Sequence, residues 1–374
     1  MTTSLDTVII GGGAMGSAAA WAISQRGRQV TLVEQFGPGH RIGASHGTTR
    51  NLNPGYFQPD YVAMLAESFA LWEDLEQESG ETLLTRTGIA SHGSGGSFAD
   101  VTAALAQSGI RAELLHPAAA VERWRGIRFD GQVLHMPDGG QLNPDAALPV
   151  FQRLAQARGA DIRHHTTVAA MDIRDDGVRL TFESAAGTET VTAAQVIVTA
   201  GGWTTKLLER VTGKVPRAPR LRVTQEQPVH FAVADQGAVW PGFNHYPGPQ
   251  DTGWYSPVYG MQTPGQGIKA GWHGVGPEVD PDRRSFLPEP DQLAALQAYA
   301  RAWLPGVDAD SFEAISCTYT TTPDEDFVLD RIGPVVLGAG FSGHGFKFTP
   351  VVGRILADLA TGTRAAPAIF RASR

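Results

Sequence analysis

The chain has 374 residues, of which 42% are apolar and 18% charged, with 44 glycines and 24 prolines, a composition that gives a globular protein of about two domains. Thirty Lys and Arg against 38 Asp and Glu leave a net charge of −8, and no basic run is long enough to track phosphates, so nucleic acid is not the expected partner. Apolar runs fall short of the ~18 residues a membrane span needs, and the start MTTSLDTVII lacks a secretory leader, so no membrane partner is expected and the protein reads as cytoplasmic.

That start is already a strand. Thr7 to Ile10 is β-branched, Gly11-Gly12-Gly13-Ala14-Met15-Gly16 follows as a tight turn, and Ser17 to Ile23 has the small and apolar residues of a packed helix. Gln29 to Val33 is a second strand and ends in the acid Glu34. Strand, glycine turn, helix and terminal acid together form a dinucleotide fingerprint. Gly11 makes the turn, Gly13 admits a pyrophosphate, Gly16 packs helix on strand, and Glu34 meets a ribose hydroxyl. A nicotinamide or a flavin dinucleotide fits this fingerprint equally.

Tyr61 to Glu78 has helical spacing through Met64, Leu65, Phe69, Leu71, Trp72 and Leu75, and Thr82 to Ser91 then turns strand-like. Asn143-Pro144 starts a helix to Arg158, and Thr166–Asp172, Val178–Glu183 and Glu189–Thr199 form a three-stranded meander. Its last strand runs into Ala200-Gly201-Gly202-Trp203, either a second approach of backbone to the dinucleotide or a plain tight turn. From Arg222 to Ser316 short aromatic and β-branched runs predict a mixed sheet, with one helix over Asp291–Trp303. Cys317 is the only cysteine, which excludes an intramolecular disulfide and a cysteine zinc cluster. Val335–Gly340 and Pro350–Leu359 return to the opening pattern of strand and helix.

The expected fold is therefore α/β, with a discontinuous Rossmann-like domain over 1–82, 143–216 and 318–374 and a mixed-sheet substrate domain over 83–142 and 217–317. His116, His135, His164, His165 and the acids Asp172, Asp175 and Asp176 lack metal-ligand spacing and read as surface residues, so no metal is expected. Asp324-Glu325-Asp326 reads as a turn.

Five segments carry a resemblance. They are Gly11–Gly16 with Glu34, Gly43-Ala44-Ser45-His46-Gly47-Thr48-Thr49-Arg50, Ala200–Thr205, Lys269–His273, and the block from Cys317-Thr318-Tyr319-Thr320 to Gly343-His344-Gly345-Phe346-Lys347-Phe348. Through them nearly the whole chain resembles the monomeric sarcosine oxidase and N-methyltryptophan oxidase family of flavin amine oxidases. The resemblance implies FAD, attached covalently through Cys317. It implies cofactor contacts at Gly11, Gly13, Ala14, Met15, Gly16, Glu34, Ser45, Thr49 and Val168. Further contacts are implied at Gly201, Trp203, Gly343, Gly345, Phe346 and Lys347.

His46 and Arg50 match basic residues beside the flavin ring, Lys269 matches the oxygen-activating lysine, and His273 matches an active-site histidine. Tyr259 and Lys347 match substrate-binding positions, with Tyr259 one residue closer to Lys269 than the pattern has it. Asn53 stands where sarcosine-type members carry an arginine that holds the substrate carboxylate, so the implied substrate is a secondary amine bulkier than sarcosine, an N-methyl or cyclic amino acid. Tyr56, Tyr259 or Trp254 would supply apolar contacts to it. The expected products are an imine, hydrolysed to aldehyde and amine, and H2O2, with O2 as co-substrate and a monomer or weak homo-oligomer as the assembly. A flavin dehydrogenase or oxidase of a primary D-amino acid and a non-catalytic flavin-binding protein are the alternatives.

Overall fold

The computed structural model describes residues 3–94, 96–175, 177–213, 218–248 and 251–374. The opening strand Thr3–Ile10 lies parallel to Val30–Val33 on one side and to Val191–Val198 of the long strand Gly187–Val198 on the other. Val335–Ala339 runs parallel to Val196–Val198, and Val328–Ile332 pairs antiparallel with it. Val30–Val33 and Val335–Ala339 are buried at every position, which is why they read as unbroken apolar runs rather than alternating ones.

The meander is there, as Thr167–Arg174, Gly177–Ser184 and Gly187–Val198, but it is not a separate sheet. Its last strand has 12 residues, enough for 187–193 to pair with the meander while 191–198 pair with the opening strand, and all join one nine-stranded sheet. Helix Ala14–Ser24 is buried along its whole length. A Cβ on Gly353, in helix Thr349–Thr361, would lie 2.5 Å from the backbone of Ala18, so small residues on both helices set their close approach. Asn143 caps helix Pro144–Ala157 by accepting the Ala146 N–H at 3.2 Å.

A second, eight-stranded sheet takes the order Val307–Ala314, Val229–Val233, Gly267–Trp272, Val258–Thr263, Gly242–His245, Ile89–His92, Val133–Met136, Glu113–Leu115. Its strands alternate by period two. Val229, Phe231, Ile268, Ala270, Trp272, Phe243 and Val258 form a core beneath helix Pro290–Trp303, while His230, Lys269, Met261, Tyr259 and Asn244 project from the other face. Cys317–Thr321 belongs to neither large sheet. It pairs with Arg222–Glu226 in a two-stranded ribbon that sets Cys317 opposite Glu226. Arg50–Leu52, Leu84–Thr85 and Gly140–Leu142 make a small third connection. Among the described residues no helix is long and apolar enough to cross a membrane.

Two histidines differ from the surface reading. His135 is buried, its Nδ1 2.6 Å from Glu113 Oε1, because a strand residue facing Trp124 is covered whatever its polarity. His164 is half-buried and bonded to Gln152, at the end of a strand that borders a cavity. His165 and His116 are exposed, and His116 caps helix Pro117–Arg123. Asp176 lies outside the described residues.

Candidate active site

A first cavity, about 550 Å3, opens at the carboxyl ends of Thr3–Ile10 and Val30–Val33, where open α/β sheets take ligands. Gly11, Gly13, Ala14, Met15, Glu34, Ser45 and Val168 line it, as do Gly201, Trp203, Cys317, Gly343, Gly345 and Phe346. Gly11 has φ +104°, and a Cβ there would meet the Thr199 carbonyl oxygen at 2.5 Å. At Gly16 a Cβ would sit 1.9 Å from the Gly11 carbonyl oxygen, so this glycine packs helix on turn and does not itself line the cavity. Glu34 is buried and accepts the N–H groups of Gly12 and Phe36 at 2.7 and 2.9 Å. Ser45 Oγ accepts the Ala14 N–H at 3.0 Å, at the mouth of the first helix. Trp203 closes one side by donating to Asp282 at 2.6 Å and packing edge-on against Phe36.

The second cavity, about 940 Å3, lies against the polar face of the eight-stranded sheet. Arg41, His46, Arg50, Asp145, Cys317, Tyr319, Gly343 and Phe346 line both, and so form the passage between them. The Arg50 guanidinium donates to the carbonyls of Ala44, His46 and Thr49 at 2.8, 2.6 and 2.9 Å and lies 3.9 Å from Cys317 Sγ. Lys269 is 4% exposed; its Nζ donates to the Thr49 carbonyl at 3.1 Å and to Thr49 Oγ1 at 2.9 Å. Burial first, and repulsion from Arg50 second, push its pKa down to about 7.

Deeper in the second cavity, Lys347 Nζ donates to Tyr56 Oη at 2.9 Å and the His344 carbonyl at 2.8 Å, and burial lowers its pKa to about 7. His273 has Nδ1 3.4 Å from the Tyr319 hydroxyl, and burial holds it at about 4. His46 falls to about 3 through burial and then the positive charges of Arg50, Arg284, Arg41 and Lys269. Tyr259 faces the cavity, its phenol raised by burial. Asn53 lines the same cavity and turns its Oδ1 to the Gly55 N–H at 2.9 Å. The passage is thus a positive site of neutral imidazoles and buried cations, suited to an anionic or electron-rich ligand.

Residues 6–359 match the family model of the DAO type, FAD dependent oxidoreductases. The chain belongs to this family. It is 33% identical to a monomeric sarcosine oxidase of Bacillus sp. (strain NS-129), over 96% of this chain and 94% of that one. An N-methyl-L-tryptophan oxidase of Salmonella newport (strain SL254) is 29% identical over 96% of this chain and 95% of its own. Among solved structures, a variant of NikD, described as an unusual amino acid oxidase essential for nikkomycin biosynthesis, in its open form, superposes with a TM-score of 0.84 at 28% identity, covering 99% of this chain and 97% of that one.

FAD-dependent chemistry requires a cleft that takes a pyrophosphate at one end and a flavin ring at the other, and this chain's residues fit. Gly11, Gly12 and Gly13 present backbone with no side chain to the cavity, which runs from Glu34 to Cys317. His46 Nε2, at the passage, and Thr48 Oγ1, beside the second cavity, are buried without a hydrogen-bond partner.

His46, Arg50, Lys269, His273, Asn53, Tyr259 and Lys347 all border the second cavity or the passage. Thr49 has its hydroxyl committed to Lys269 and Thr263, and Lys347 borders the second cavity alone of the two. Trp254 is not a cavity residue. It packs edge-on against His245 and Tyr299, on the core side of the eight-stranded sheet. Two residues near the passage have no sequence signal. Arg284 is 7% exposed with no partner for its guanidinium nitrogens and lies over the Phe286 ring at 4.1 Å, although Arg283-Arg284 reads as a surface pair. Glu226 is buried opposite Cys317, where it accepts from Thr224 Oγ1 at 2.5 Å.

Proposed function

We propose that the protein oxidises the C–N bond of a secondary amine carrying a carboxylate, an N-methyl or cyclic amino acid bulkier than sarcosine, with O2 as electron acceptor and H2O2 as product. The observation that carries this reading is the pair of buried lysines with no carboxylate partner among the described residues, Lys269 and Lys347, both lining the second cavity. FAD, when bound, accepts hydride equivalents from the carbon next to the amine nitrogen and returns electrons to O2.

Lys347 would hold the substrate carboxylate with a charge-assisted bond, already oriented by Tyr56 and the His344 carbonyl. Asn53 can add one N–H but not the charge or the bidentate fork of a guanidinium. His273, neutral above about 4, does not repel a substrate amine and can accept an N–H from it. Lys269, fixed by Thr49, would stabilise the negative charge that O2 acquires on reduction. Cys317 is the only thiol and lies at the passage, 3.9 Å from the Arg50 guanidinium, where covalent attachment would take place.

Peroxide release from a panel of N-methyl, cyclic and primary D-amino acids tests the reading. A bulky secondary amine is expected to give the highest kcat/KM. A primary amine in first place, or flavin reduction without peroxide, overturns it.

A further inference from the structure

Away from the cavities, three side chains meet at the one parallel seam among the described strands of the eight-stranded sheet. His92 ends strand Ile89–His92 and pairs in register with His245, which ends Gly242–His245. Asp130 reaches both from a connecting loop. Its Oδ1 lies 3.0 Å from His92 Nδ1 and 3.3 Å from His245 Nε2, and one ligand atom from each residue lies within 4.8 Å of the others. Both imidazoles are fully buried, while the Asp130 side chain keeps 32% of its surface exposed. Hydrogen bonding accounts for only one leg of the group, His92 Nδ1 to Asp130 Oδ1. Despite its nearness to the carboxylate, His245 Nε2 makes no hydrogen bond, and His92 Nε2 has none either.

We propose that His92, Asp130 and His245 bind one divalent first-row metal ion, with zinc the ion that two imidazoles and a carboxylate best suit. A tetrahedral zinc with bonds of about 2.0–2.1 Å has ligand-to-ligand edges of roughly 3.3 Å, close to the two measured separations. The rings lie 3.7 Å apart at 32°, so a modest turn about their soft terminal torsions brings both lone pairs onto a common point. His245 Nδ1 faces the Tyr299 hydroxyl at 3.4 Å, the outer contact that orients a metal-binding imidazole. Phe129, Trp254 and Trp303 wall the site, leaving the Asp130 side for entry and for a water as fourth ligand. The site lines neither cavity, yet Asn244 and Tyr246, the neighbours of His245, line the second. The ion would brace that wall and take no part in the oxidation.

Holoenzyme stripped with a chelator and titrated with Zn2+ alone should take up one equivalent, with a melting temperature that rises with ion concentration. Co2+ alone should give the d–d bands of a four-coordinate site. Asp130→Asn and His245→Gln, checked for folding by their retained turnover, should each weaken binding by roughly tenfold or more. Absence of a stoichiometric ion, an octahedral cobalt spectrum, or uptake unchanged in both variants overturns the proposal. Should the variants not fold, stoichiometry and the cobalt spectrum of the unsubstituted enzyme decide it.

Discussion

The Lys269 amine, in the wall of the second cavity, is held by one threonine, and no carboxylate pairs with it among the described residues. Lys269→Met keeps the length and removes the charge. It is expected to slow reoxidation of the reduced enzyme by at least tenfold, about 1.4 kcal/mol in barrier, while anaerobic reduction by amine changes less. Stopped-flow measurement of the two half-reactions checks this; a reoxidation rate within about threefold of the parent rejects the role. Asn53→Arg is the converse experiment. A charge-assisted bond is worth roughly 1.5–3 kcal/mol, so the added guanidinium should lower KM for sarcosine by about ten- to a hundredfold. Unchanged KM would mean that the carboxylate binds elsewhere. Cys317→Ser should release its flavin into the supernatant on acid precipitation, where the parent keeps its colour in the pellet.

Among elements, the first turn and helix carry the strictest geometry. Gly16→Ala forces a methyl into the Gly11 carbonyl, so helix Ala14–Ser24 must move away from the turn it meets. Flavin content and melting temperature should both fall, whereas Gly27→Ala, with nothing near the added atom and only the strain of its φ of +68° to bear, should retain its flavin.

This turn was legible because its cause is local: strand, glycines and helix follow one another in sequence. So was the helix started by Asn143. What was not legible depends on distant partners. Thr49 is bound to Lys269 from 220 residues away, and Arg284 looks like any surface arginine until the chain covers it. His92, Asp130 and His245 have no spacing to betray them, and Trp254, in the loop before Val258–Thr263, is drawn to the core by His245 and Tyr299, which come from distant parts of the chain.

Across the whole molecule, the buried bases give a signed pH dependence. His46, His230, His273 and His344 have pKa values of about 3, 4, 4 and 3 in the fold against 6.5 when free. Between these limits the unfolded chain binds more protons, so stability present above pH 6.5 is lost as pH falls through 4. Lys269 and Lys347, at about 7 against 10.5, add a second rise as pH climbs between those values. Melting temperatures of the cofactor-free protein should show both steps, and Lys269→Met with Lys347→Met should flatten only the upper one.

The nine-stranded sheet has a further consequence, for the order in which the protein can be made. Its middle joins Thr3–Ile10, near the start of the chain, to Val196–Val198, and that strand in turn to Val335–Leu337, near the end. Gly343, Gly345 and Phe346, which complete the first cavity, follow later still. A ribosome must therefore release the chain through Phe346 before a flavin has a finished pocket to enter, although the glycine turn that begins the pocket is translated long before. Colour in such a protein reports completed synthesis, and chains that terminate early should be colourless.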